Sequence, residues 1–168
     1  MKSTMNITTD IVNDPHHLSC VGSLVGCRNF RHIIISHDIE DIPFPIYTKY
    51  LTLSYNVKTK DQLFNLRRKL TKIQAHTIII NDDTNLIHYL RENTFIRGRG
   101  LFGAIVRNEY IHKLIIQYHI PEQGSGSGIE RYHTHGNELK ENLKKEQRMY
   151  RNGIIVPLKK VKIRVYYD

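Results

Sequence analysis

Residues 160–166, KVKIRVY, alternate without a break. Val161, Ile163 and Val165 fall on one side, and Lys160, Lys162, Arg164 and Tyr166 on the other. A period of two belongs to a β-strand. Such a strand needs a core to cover with its apolar side, and here it presents three cations and a phenol on the opposite side. Pro157 cannot donate to a ladder, so the apolar run at 153–156 reads as a separate short strand or an edge.

Strand-like runs recur upstream at 30–36 (FRHIIIS), 50–55 (YLTLSY), 76–80 (HTIII) and 112–120 (HKLIIQYHI). Two further apolar runs, 16–27 (HHLSCVGSLVGC) and 101–106 (LFGAIV), also read as strands. The second of these pairs with 112–120 around Arg107-Asn108-Glu109. The clearest helix is 59–73. Thr59 and Gln62 form a capping box, Leu63, Leu66, Leu70 and Ile73 recur at helical spacing, and Lys60, Arg67, Arg68, Lys69 and Lys72 make the remainder basic. Asn81-Asp82-Asp83-Thr84 supplies a turn and an N-cap for a short helix at 85–92, with Leu86, Ile87 and Leu90 inward. Residues 129–136 lead into a charged, helix-like stretch at 137–150.

Residues 1–13 read as a loose tail, and 37–45 (HDIEDIPFP) as an acidic loop stopped by proline. A flexible Gly/Ser loop spans 121–130; its GSGSG core at 124–128 has the regularity of an engineered replacement. YLTLSYN is locally like a leucine-rich repeat, but its spacing to HIIIS and HTIII is irregular, which argues against a solenoid. The expected fold is α+β: a single domain with a mainly antiparallel sheet, the basic helix at 59–73 and the short helix at 85–92.

The 168 residues include 25 Lys+Arg against 16 Asp+Glu, a net charge of +9. That excess favours an anionic partner, either a nucleic acid or a nucleotide. Two cysteines do not make a disulfide framework, which points to a reducing compartment, cytosol or nucleus. The first residues lack the apolar core of a signal peptide, and no apolar run is long enough to span a bilayer, so no membrane partner is expected.

Several groups could carry chemistry. Arg97-Gly98-Arg99-Gly100 can wrap a phosphate with backbone N–H groups and two guanidiniums. Lys160, Lys162 and Arg164 offer a cationic strand face, with Tyr166 available for stacking. Tyr110, His112 and Lys113 bring a phenol, an imidazole and an ammonium together, enough for metal-free cleavage of a phosphodiester that carries a 2′-hydroxyl. His133 and His135 would share one side of a strand and could chelate a metal. His16 or His17 with Cys20 and Cys27 is a second ligand set, at a spacing unlike a zinc knuckle. Asp38, Asp82 and Asp83 each follow an apolar strand, where carboxylates hold magnesium in some nucleases but also serve as turn and cap residues. No cofactor and no metal are assigned.

The segments LIIQYHI (114–120), HGNEL (135–139) and RMYRNGIIVPL (148–158), followed by VKIRV, resemble the tail of the poxin family, the cyclic GMP–AMP nucleases of poxviruses with relatives in baculoviruses and insects. The similarity covers about fifty residues. It implies metal-independent cleavage of a phosphodiester next to a free 2′-hydroxyl, in cyclic GMP–AMP or RNA, by a viral protein that evades immune detection. His17 then corresponds to the family's N-terminal histidine, and Tyr110 and Lys113 to its tyrosine–lysine pair. The family spaces that pair Tyr-x-x-x-Lys; here Tyr110-Ile111-His112-Lys113 is one residue shorter. The alternatives are a non-catalytic RNA- or DNA-binding module using the 59–73 helix and the terminal strand, and an interaction domain whose charge is incidental.

Overall fold

A computed structural model describes residues 3–91, 100–121, 126–152 and 159–168. Six strands, β1 (Thr4–Ile7), β2 (His32–Ile35), β3 (Tyr47–Leu53), β4 (Gln74–Asn81), β5 (Lys113–Tyr118) and β6 (Lys162–Tyr167), form one sheet in the order of the chain. Every pairing is parallel. The fold is therefore α/β, and the expectation of a mainly antiparallel α+β sheet is corrected. Parallel neighbours need crossovers rather than hairpins. Four of the five crossovers carry helices: α1 (Thr9–Val12) and α2 (Pro15–Gly26), α3 (Lys60–Leu70), α4 (Leu101–Arg107), and α5 (Gly126–Asn152). The β2–β3 crossover holds only a 3-10 turn, Ile39–Asp41; a second such turn, Asn85–Tyr89, precedes α4.

The antiparallel reading arose from two misread helices. Residues 101–106 are not the first arm of a hairpin but α4, in which Leu101, Phe102, Gly103, Ala104, Ile105 and Val106 are all buried. It contacts both α3 and α5. A helix enclosed on all sides has no polar face, so its sequence carries no helical period and cannot be told from a buried strand. Residues 16–27 are not a strand and turn but α2. Its start was written in the chain: Asp14 is the N-cap, accepting a hydrogen bond from the His17 N–H, and Pro15 occupies the first helical position.

Other boundaries shift less. Residues 4–12 are β1 and α1 rather than a loose tail. Residues 126–130 open α5 rather than a flexible loop, while 122–125 and the 153–156 run lie outside the described residues. The 59–73 helix is α3, and Thr59 caps it as expected by accepting from Gln62 N–H at 3.1 Å. The 85–92 helix is reduced to the 3-10 turn, capped by Thr84.

The register sorts side chains into two faces. Ile33, Leu51, Ile78, Leu114 and Ile163 align across β2 to β6, and Ile35, Leu53, Ile80 and Ile116 lie two residues further along the strands. All nine are buried and share one core with Val21 and Val25 of α2, Leu66 and Leu70 of α3, α4, and Leu139 and Leu143 of α5. The other face carries Thr4, His32, Tyr50, Thr77, Lys113 and Lys162 in one aligned row. Parallel sheets are usually covered on both faces; here Lys162, Arg164 and Tyr166 of β6 stand exposed on this second face. Among the described residues no helix is long and apolar enough to cross a membrane.

The two sides of β6 divide as its alternation requires, and they should respond differently to substitution. Ile163 is 3% exposed, so Ile163→Asp should cost about 3 kcal/mol or more by burying an unpartnered charge; Lys162→Glu should leave the melting temperature almost unchanged. Asn108 is fully buried and makes four hydrogen bonds. Its Nδ2 donates to the carbonyls of Leu70 at 2.8 Å and Ile73 at 2.6 Å, while Oδ1 accepts from the N–H groups of Tyr110 and Ile111. Asn108→Ala should lose about 3 kcal/mol in urea denaturation, because it orphans buried backbone groups on both sides.

Candidate functional site

Parallel strands all begin at the same edge of a sheet, so whatever precedes one strand stands beside whatever precedes the next. His32 aligns with Tyr50, Tyr50 with Thr77, and Thr77 with Lys113. The residues one step earlier are Arg31, Lys49, His76 and His112. Four cationic or titratable side chains thus form one row across neighbouring strands, which lie about 4.8 Å apart. Backbone bonds fix the row: Tyr50 N–H donates to the Arg31 carbonyl at 3.0 Å, and His112 N–H to the His76 carbonyl at 2.9 Å. No carboxylate occupies it, although like charges on adjacent strands repel.

A cavity of about 600 Å³ opens at this edge, lined by Arg28, Arg31, Tyr47, Lys49, Gln74 and His76 among others. Arg28 has φ 58°, a left-handed conformation that normally selects glycine. It ends α2 in a Schellman motif, with Asn29 N–H donating to the Leu24 carbonyl and Arg28 N–H to that of Val25. This conformation sets its guanidinium 5.0 Å above the Tyr47 ring, with Nη2 donating to Gln74 Oε1 at 3.3 Å. Arg31 and Lys49 lie 5.6 and 5.5 Å from the centre of the Tyr50 ring, and their hydrogen bonds and charge draw the Tyr50 hydroxyl below the usual phenol range.

The imidazoles of His76 and His112 have centroids 5.6 Å apart. His76 Nδ1 is paired with Thr77 Oγ1 at 2.8 Å. Partial burial, then the charges of His112, Lys49 and Lys113, push the His76 pKa down. Beyond them Lys159 donates to the Ile111 carbonyl, and burial lowers its pKa to about 8 against the pull of Glu109. Glu109 also holds the Tyr110 hydroxyl and raises its pKa.

The opposite edge, where the strands end, has the reverse character. His37 pairs with Asp41 at 2.7 Å and His119 with Asp168 at 2.9 Å. Asp38 accepts from Glu40 N–H and Asp82 from His119 N–H, the turn-and-cap role for these strand-end carboxylates. Ligands of parallel α/β sheets usually bind at this edge, but here His37 and His119 are already engaged by carboxylates.

The expected site residues do not converge. His17 is exposed in the first turn of α2, on the edge where β1 ends. Tyr110 and Lys113 stand at the other edge, where β5 begins. The fold therefore does not bring His17 to the pair. Lys160 is exposed just before β6, and Lys162 and Arg164 project from the open face. Arg97 and Arg99 lie outside the described residues. His133 and His135 sit on α5 rather than a strand, against Tyr167 and Tyr118 respectively. His16 lies 4.0 Å from Cys20 Sγ, and both cysteines are exposed. Among the described residues no three His, Cys, Asp or Glu side chains are placed to hold a metal. The α3 cations are partly committed: Arg68 pairs with Glu40, and Lys69 donates to the Ile39 and Ile42 carbonyls.

Sequence reasoning missed Arg28, Arg31, Lys49 and His76, and gave His112 only a supporting place. The signal was a cationic or imidazole residue at the start of four successive strand runs. It becomes a site only when those strands are parallel. Comparison of the chain with protein-family models, curated proteins and solved structures gave no match.

The fold favours neutral imidazoles at His76 and at His32, which burial also pushes down and whose Nε2 is paired with Thr52 Oγ1 at 2.7 Å. Their folded pKa values lie below the free value of about 6.5. The stability they supply is therefore complete above that pH and is lost as pH falls below it. Melting temperature should drop between about pH 7 and pH 5, and a His32→Gln/His76→Gln variant should show a shallower drop over the same range.

Proposed function

We propose that the chain binds single-stranded nucleic acid, with its phosphates along the strand-start edge and its bases reaching the open face of the sheet. The observation that carries this is the row Arg31–Lys49–His76–His112, four neighbouring side chains with no carboxylate among them. A phosphate backbone relieves their mutual repulsion, as a cationic groove does in single-strand binders. Tyr47, Tyr50 and Tyr110 stand at the edge and Tyr166 on the open face, 42% and 48% exposed for the last two, and offer rings for stacking. Lys113, Lys162 and Arg164 extend the charge onto the face. The cavity is also of a size that takes small ligands, so cyclic GMP–AMP, the ligand implied by the poxin-like tail, is the competitor to test.

Binding of a labelled 15-nucleotide strand should weaken steeply with salt, because bound cations displace counterions. Arg31→Gln/Lys49→Gln should flatten the log–log slope by about 1.4, at roughly 0.7 per phosphate contact on a single strand. Lys60→Gln/Arg68→Gln on α3 should leave it unchanged. A slope that responds to the α3 pair and ignores the edge pair would move the interface to that helix and end this reading.

A further inference from the structure

Cleavage of a phosphodiester by its own neighbouring 2′-hydroxyl needs two proton-transfer groups beside one phosphate. One removes the proton from O2′, and the other delivers a proton to the departing O5′. These oxygens lie on opposite sides of phosphorus during in-line displacement, so the groups must be separate side chains that flank a common point. Two imidazoles suit the task because their ordinary pKa lies near neutrality. Negative charge building on the phosphoryl oxygens needs fixed cations nearby.

His76 and His112 meet these demands together. His76 stands on β4 and His112 just before β5, with ring centroids 5.6 Å apart; no carboxylate among the described residues pairs with either ring, and Lys49 and Lys113 act on the His76 imidazole from β3 and β5. The Thr77 hydroxyl holds His76 Nδ1 and leaves Nε2 for a substrate. His37 and His119 at the opposite edge, by contrast, are each spent on an aspartate. Resting on the nucleic-acid reading above, we infer that His76 and His112 are an acid–base couple that cleaves RNA by transphosphorylation. His76 in its neutral form takes the proton from O2′. O2′ attacks phosphorus, the P–O5′ bond breaks, and protonated His112 passes its proton to O5′. The products are a 2′,3′-cyclic phosphate and a new 5′-hydroxyl. Lys49 and Lys113 stabilise the phosphoryl oxygens. Base, acid and charge stabiliser are all side chains, so EDTA should leave the rate unchanged.

The test separates binding from cleavage. A 2′-O-methyl oligonucleotide reports affinity, and an all-ribose strand of the same sequence reports cleavage, read as 2′,3′-cyclic phosphate by mass spectrometry. The wild-type chain should bind both and cleave only the second, with a rate that is bell-shaped in pH. His76→Ala and His112→Ala should each slow cleavage by roughly 10²- to 10⁴-fold, far more than either weakens 2′-O-methyl binding. His76→Gln, closer in size, guards against an unfolded alanine variant and should be equally slow with an unchanged melt. Binding of both strands without cyclic phosphate overturns the acid–base couple and leaves the binding reading standing. Cleavage that survives in His76→Ala/His112→Ala also overturns it, because the activity then does not need this pair. Failure to bind either strand removes the reading and the inference together.

Discussion

Parallel pairing is the constraint from which the molecule's surface chemistry follows. An antiparallel sheet would scatter the residues that precede its strands over two opposite edges. A parallel one gathers them on one. The same register that stacks Ile33, Leu51, Ile78 and Leu114 into the core places Arg31, Lys49, His76 and His112 side by side. The two rows are not independent, because slipping a strand by one residue would expose its isoleucines. Burial of a single such side chain contributes about 1.5–3 kcal/mol. Repulsion between neighbouring exposed charges costs about 1 kcal/mol or less in water. The core therefore dictates the register, and the cations are held together whether or not that arrangement is comfortable.

Two buried details keep the edge in shape. Asn108 ties the end of α3 to the turn that leads into β5, so the positions of Tyr110, His112 and Lys113 depend on an amide with no surface exposure. Arg28 takes a left-handed backbone where glycine would be easier, at a cost on the order of 1 kcal/mol. A helix stop alone does not require an arginine there. Its guanidinium lies over Tyr47 and beside Gln74 at the mouth of the cavity, which is what that conformation achieves.

The strands from β2 to β6 were legible in the sequence because each meets the core on one face and so alternates or runs apolar, whereas the four residues of β1 are too short a run to show a period. The terminal strand is the clearest case: Val161 and Ile163 are buried and Lys162 and Arg164 exposed, as its period requires. What could not be read was how strands connect. One-sided alternation ordinarily marks an antiparallel sheet, and α4, being buried all round, has no period to betray it. A strand at 101–106 implies a hairpin with 112–120, and in an antiparallel sheet the cations that precede the strands do not share an edge. The Asp14–Pro15 start of α2 was visible and would have corrected half of the topology. The sequential strand order is what stacked repeats produce, yet the aligned residues Thr4, His32, Tyr50, Thr77, Lys113 and Lys162 are unevenly spaced, so no repeat could be found.

The segregation of charge along the strands has a competing explanation. Helices that return across a parallel sheet point their C-termini at the strand-start edge, and cations there complement the negative end of each macrodipole. Arg67, Arg68 and Lys69 in the last turn of α3 and Arg107 in that of α4 are explained this way, as are Asp61 and Asp10 at helix starts. The row itself is not. Arg31, Lys49, His76 and His112 belong to strands or to the residues leading into them, with no helix end to complement. The macrodipoles also oppose an anion at this edge, each contributing about half a negative charge that fades within a turn. Arg28, Arg31, Lys49 and Lys113 outweigh that fraction, and an approaching phosphate would offset the burial and neighbouring charge that push the His76 pKa down. If the proposed anionic ligand binds there, it changes the charge state of the edge in its own favour, and its affinity should rise as pH falls through the titration of His76, the opposite sense to the pH dependence of the unliganded fold.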